Sequence, residues 1–128
     1  MKPTEHLSQH FRASELACKC CGSLGSNDGE SLKKTALFLE RVRTFLGNRA
    51  ITVNSGYRCP KHNKAVGGEP NSFHMRAYAA DITVAGMTPK QVQAKLDEPG
   101  SPVTEGGLGS YATFTHVDRR GYHARWSG

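Results

Sequence analysis

Several features that usually assign a chain to a class are missing from this sequence. No stretch approaches the roughly eighteen consecutive apolar residues that a membrane-spanning helix needs, so a transmembrane helix is excluded. The opening residues, MKPTEHLSQHFRASEL, lack the apolar core of a secretory signal peptide. On that reading the chain is made as a soluble cytoplasmic protein, unless an earlier segment has been trimmed away. There is no internal repeat, no low-complexity stretch, and no block of five or six basic residues to act as an RNA-binding tail. Aromatic residues are scarce at 8%, with a single Trp, and no strand pairs basic with aromatic positions. That argues against a nucleic-acid partner. Of four cysteines, Cys18, Cys20 and Cys21 form a CxCC cluster, which is not the CxxC of a zinc ribbon.

What is present fits one domain. The 128 residues leave no room for a second domain of ordinary size, and 37% apolar content can build a core without obligatory disulfides. Seventeen Lys and Arg against eleven Asp and Glu give a net charge of +6 and a pI near 9.4. Such a balance either serves solubility or draws the chain toward polyanions: nucleic acid, an anionic membrane, or a wall polymer with free carboxylates. A monomer is expected. A bond from the 18–21 cluster to Cys59 would tie the N-terminal arm to the SGYRCPKHN segment, and a structural metal at the cluster is the weaker alternative.

Periodicity predicts an α+β domain with a mostly antiparallel sheet and two main helices. Residues 1–29 read as an irregular arm ending in the polar, flexible stretch Gly22 to Gly29. Leu32, Ala36, Leu39, Val42 and Leu46 recur at helical spacing, with Gly47 placed to end the helix. Ile51 to Asn54 alternates as a short strand, and Ser55 to Ser72 reads as loop. A strand follows from about Tyr78 to Val84. Thr88, Pro89 and Gln91 then announce a capped helix that turns Val92 and Leu96 inward and stops before Pro99. Two short strands, Leu108 to Tyr111 and Phe114 to Asp118, precede a basic, aromatic tail.

The chemistry concentrates in two segments. In SFHMRAYAAD, His74 and Asp81 lie across a turn into an apolar strand, where a lone carboxylate is costly to bury and a cation would remove the cost. In FTHVD, strand alternation puts His116 and Asp118 on one face. His74, Asp81 and His116 would leave a fourth position open on a tetrahedral zinc, as catalytic rather than structural sites do. Taken singly, each has an ordinary explanation: a hydrogen-bonded core histidine, or an aspartate at a turn.

Together the segments SGYRCPKHNKAVGG, NSFHMRAYAADI and GGLGSYATFTHVDRRGYHARW, with the arm HFRASELACKCCG, resemble the zinc D-Ala-D-Ala peptidase family. The likeness is to its small, single-domain branch of phage endolysins and murein endopeptidases, and it spans roughly residues 10 to 126. The family pattern S-x-H-x-x-G-x-A-x-D is matched by Ser72, His74, Ala79 and Asp81, while Ala77 replaces its glycine. A left-handed backbone there would be strained for alanine.

The resemblance implies a hedgehog/D-Ala-D-Ala-peptidase-like α+β fold and Zn2+ held by His74, Asp81 and His116. It also implies an arginine, Arg58, that meets a substrate carboxylate or polarises its carbonyl, unless Arg58 serves a structural ion pair. The implied substrate is bacterial peptidoglycan, cut at a D-amino-acid peptide bond. A family member of the endolysin kind would wait in the cytoplasm for a holin to open the membrane. Relatives place an acid or base shortly before the last ligand, where this chain has Tyr111, Ala112, Thr113 and Phe114. Asp118, on the face of His116, and His123 are the substitutes for that role, although Asp118 serves equally well as an acceptor that orients a ligand imidazole. Tyr57 and Ser72 are candidates to line the cleft. The missing acid or base is also what a non-catalytic, zinc-containing peptidoglycan-binding module of the same fold would display.

Overall fold

The computed structural model describes residues 5–25, 29–69 and 71–128. Residues 1–4 of the arm, 26–28 of its polar end and Pro70 of the expected loop lie outside the described residues. The elements run in the order α1 (Ala13–Leu16), α2 (Glu30–Phe45), β1 (Ile51–Ser55), α3 (Pro60–Ala65), a 3-10 turn (Phe73–Arg76), β2 (Ala79–Val84), α4 (Pro89–Leu96), β3 (Gly107–Ser110), β4 (Thr115–Asp118) and β5 (Ala124–Ser127). One five-stranded sheet, ordered β1-β2-β4-β3-β5, is antiparallel except for the parallel β3–β5 pair. The α+β architecture with a mostly antiparallel sheet is therefore the observed one.

The two main helices form where apolar period and caps agree. On α2 the residues Leu32, Ala36, Leu39 and Val42 are wholly buried, and Gly47 takes a left-handed φ of +83° just past the helix end. On α4, Thr88 accepts a hydrogen bond from the Gln91 amide while the Gln91 side chain accepts one from the Thr88 amide. Those side chains satisfy donors that a helix start would otherwise leave unpaired. Val92 and Leu96 of α4 join Ala80 and Ile82 of β2, Val117 of β4 and Leu108 of β3 in one core. Each fully buried aliphatic side chain of this kind contributes on the order of 1.5–3 kcal/mol.

The structure differs from expectation in three places. The arm is less irregular than its composition suggests: Phe11 and Leu16 are buried in the core, and α1 supplies one short turn. Residues 60–65, read as loop, form α3, with Cys59 at the cap and Pro60 in the first turn. Six residues are too few to display a period, so the signal was confined to a capping residue followed by proline. The basic tail closes the sheet as β5.

Among the described residues, the Glu40 carboxylate fastens the arm to α2. Glu40 accepts hydrogen bonds from the Ser8 hydroxyl, the His10 amide and His10 Nδ1, each at 2.6 Å. Burial pushes the Glu40 carboxyl up, but the Ser8 and His10 donors outweigh it and hold the group below its ordinary value of 4.5. A lowered native value stabilises the fold above the unfolded value, and this contribution is lost as pH falls through the native one. Glu40→Gln is expected to cost about 1 kcal/mol at neutral pH, since the pair is partly solvated. The difference between variant and wild type should shrink in acid, as measured by urea denaturation at both conditions. An unchanged difference would mean that the carboxylate charge does not hold the arm.

Candidate active site

Register builds the site. The sheet pairs Ser55 with Asp81, Asp81 with His116, His116 with Gly109, and Gly109 with Trp126, so these five residues form one row across all five strands. Residues in one cross-strand row share a face of the sheet. The opposite face carries Ala80, Ile82, Val117 and Leu108 into the core. Gly109 is glycine for a steric reason: a Cβ there would run into the indole of Trp126. Without it, Trp126 reaches across the row, its ring centroid 5.1 Å from that of His116, and its Nε1 donates to the Tyr111 hydroxyl at 2.8 Å.

His74 enters from the 3-10 turn. Ser72 caps that turn by accepting from the His74 amide, and Ala77 ends it at φ +60°, ψ +29°. The left-handed backbone anticipated at Ala77 is therefore real, at a cost of roughly 1–2 kcal/mol for a residue with a Cβ. Helix α2 holds it in place. The Thr35 hydroxyl donates to the Ala77 carbonyl at 2.6 Å, and Arg119 donates to Thr35 at 2.8 Å and to Ser31.

The hydrogen bonds around the two imidazoles fix where their lone pairs point. His74 Nδ1 lies 2.8 Å from the Gly56 carbonyl, which can only accept, so the proton of a neutral His74 is on Nδ1 and the lone pair on Nε2. His116 Nε2 lies 2.7 Å from Asp118 Oδ2, which leaves its lone pair on Nδ1. Both lone pairs converge on Asp81 Oδ1, at 3.1 Å from His74 and 3.0 Å from His116. Three electron pairs facing one another in a buried place require a cation between them. Burial presses the His116 value down, but the Asp118 and Asp81 carboxylates outweigh it and push His116 up. Asp81 is held well below the usual carboxylate range: burial raises it, and His116 and His74 more than offset that.

The donor set fits a metal ion. Its atoms lie within 4.8 Å of one another, and the 3.0–3.1 Å contacts approach the roughly 3.3 Å edge of a tetrahedron with bonds near 2.0 Å. Two neutral imidazoles and one carboxylate suit zinc, with the fourth direction facing a cleft of about 590 Å³.

Arg58 reaches the same carboxylate from the other side. Its Nη2 donates to Asp81 Oδ2 at 3.0 Å, while Nε donates to Ser55 and Nη1 to Asn63. The structural ion pair and the place on the cleft wall thus belong to the same side chain. Ser72 lines the cleft, whereas Tyr57 packs against the core.

The two residues expected to move a proton are both poorly placed for it. Asp118 is wholly buried, and its oxygens accept from the Gly107 amide, the Arg120 amide and guanidinium, and His116. Burial would raise its value, but His116 and Arg120 hold it well below the carboxylate range. A carboxylate so fully engaged orients its neighbours and has no lone pair free for water. His123 is exposed, bonds to the Thr104 carbonyl at 3.0 Å, and lies outside the residues lining the cleft. Sequence reasoning overlooked Arg120, which grips Asp118 and lies over the rings of Phe73 at 4.4 Å and Trp126 at 5.0 Å. The adjacent Arg119-Arg120 pair after the last ligand was the available signal.

Fold and site together define a class, that of small α+β domains with a His/Asp/His set able to hold a metal ion in an open cleft. Residues 9–118 match the model of the peptidase M15 family, and the chain belongs to that family. It is also similar to a zinc D-Ala-D-Ala carboxypeptidase from Streptomyces albus G, 46% identical over 44 residues. That match covers 34% of this chain and 17% of the Streptomyces protein.

Proposed function

We propose that this protein is a zinc-dependent peptidase that hydrolyses D-amino-acid peptide bonds in bacterial peptidoglycan. The observation that carries the reading is the convergence of His74, Asp81 and His116 lone pairs on one point at the floor of an open cleft. The name of the Streptomyces relative supports both the metal and the substrate class. Zinc bound there would supply Lewis acidity, lowering the pKa of a water and polarising a carbonyl.

The chain's own residues do the rest. The Gly56 carbonyl and Asp118 keep the two imidazoles in the ligating tautomer. Arg58 and Arg120 set two guanidinium groups on the cleft wall, suited to the free carboxylates of a stem peptide. Phe73, Phe114 and Trp126 wall the cleft with apolar surface that limits water. Glu69, exposed on the same wall, is the carboxylate that the cleft offers for proton transfer in place of Asp118 and His123. We place the enzyme as a monomer acting on the cell wall, as an endolysin released through a holin-opened membrane. The net charge of +6 supports that setting by drawing the protein to an anionic wall.

Purified Gram-negative peptidoglycan digested with and without a chelator, with products read by mass spectrometry, tests the reading and names the bond. Release of terminal D-alanine would make the enzyme a carboxypeptidase, and release of cross-linked or stem fragments an endopeptidase. Absence of any product from zinc-loaded protein across several wall types would leave the binding module as the better account.

A further inference from the structure

The thiols of the arm have no part in the cleft, yet the fold gathers them. A tight turn carries the first three: the Gly22 amide donates to the Cys18 carbonyl and the Cys18 amide to the Ser23 carbonyl, both at 2.8 Å. Cys59 arrives from a distant part of the chain, at the cap of α3. Cys20 Sγ then lies 3.5 Å from Cys18 Sγ and 3.4 Å from Cys59 Sγ, and the four sulfurs fall within 4.8 Å of one another.

We propose that Cys18, Cys20, Cys21 and Cys59 bind a second, structural zinc ion that clamps the N-terminal arm to the Arg58 segment. All four cysteines are free thiols in the structure. Both close contacts share Cys20, and a single sulfur can form only one disulfide, whereas a metal at the centre engages all four. A tetrahedron with Zn–S bonds of about 2.3 Å has edges near 3.8 Å, which sits inside the observed spread. Backbone amides support the sulfurs as they do in thiolate sites. The Cys59 amide donates to Cys18 Sγ and the His62 amide to Cys59 Sγ, each at 3.4 Å. An all-thiolate set is soft, which selects zinc over calcium or magnesium, and four protein ligands leave no open position for chemistry. Each ligating thiol releases its proton to solvent as the ion binds. The metal, weaker than a disulfide on sequence spacing alone, becomes the better reading once the four sulfurs are seen in space.

The clamp sits next to the cleft without entering it. The Tyr57 amide donates to the Leu16 carbonyl at 2.8 Å, and a Cβ on Gly56 would meet the Leu16 backbone. The same short segment holds the Gly56 carbonyl that orients His74, and Arg58 itself. Whatever bond the cleft cuts, the inference stands on the thiols alone.

Metal analysis of the full chain, purified under a phosphine reductant, tests it. Wild type should hold two zinc equivalents, the double variant His74→Ala/His116→Ala one, and Cys20→Ser/Cys21→Ser one. Cobalt-substituted His74→Ala/His116→Ala should show an intense near-ultraviolet sulfur-to-cobalt band that the cysteine variant lacks. If the cysteine variant does not fold, stepwise mercurial titration of the wild type replaces it, and zinc should leave in proportion to thiols blocked. A cobalt protein without the sulfur band would overturn the proposal. So would protein, purified without reductant, whose mass is short by two hydrogens and whose histidine variant holds no zinc.

Discussion

His74→Ala is expected to remove the cleft metal and lower kcat/KM on peptidoglycan fragments by more than about a thousandfold. A bound metal supplies several kcal/mol of transition-state stabilisation, and about 4 kcal/mol corresponds to three decades of rate. The variant loses one of three ligands, and it leaves the Gly56 carbonyl without its donor. Folding is checked by circular dichroism and cleft metal by elemental analysis, where one equivalent fewer than wild type should be found. Activity within tenfold of wild type in a protein lacking that equivalent would show that the cleft metal is not the source of catalysis.

Asp118→Asn should weaken metal binding at the cleft by about 10–100-fold, the usual consequence of removing an acceptor that orients a ligand imidazole. It should also cost stability, on the order of 2–4 kcal/mol, because Arg120 loses the carboxylate it grips through Nε and Nη2. The decisive readout is kcat under excess zinc. A residue that only positions His116 allows kcat to recover largely once the metal is restored. A general base does not: kcat would remain depressed by about 10²–10⁴-fold at every zinc concentration, with the acidic limb lost from the pH profile. The burial of Asp118 and its five donors point to recovery.

Much of the fold was legible because local signals agreed with tertiary packing. The stripe from Leu32 to Leu46 is a helix face that ends up in the core, and the Thr88–Gln91 box caps a real helix. The three candidate ligands, each with an ordinary explanation of its own, stood out once their spacing was joined to the family pattern they resemble. Strand β5 was not legible. Its residues, Ala124 to Ser127, alternate over only four positions inside a basic, aromatic tail, and parallel pairing to β3 depends on a partner distant in sequence. The setting of the proton-moving candidate was only partly legible for a related reason. Alternation placed Asp118 correctly beside His116 but could not count the donors that Gly107 and Arg120 bring to it.

The sequence by itself determined the two amphipathic helices, the strands that carry Asp81 and His116, the strain at Ala77 and the family. The helices and strands are properties of neighbours along the chain, where spacing acts directly, while the strain at Ala77 follows from the resemblance, whose pattern has glycine there. Tertiary structure alone decided that Ser55, Asp81, His116, Gly109 and Trp126 share one row, and that Asp118 is buried beneath Arg120. It also brought Cys59 to the cysteines of the arm. Those facts depend on register and on contacts between distant segments, which burial and hydrogen bonding select only when the whole sheet has closed.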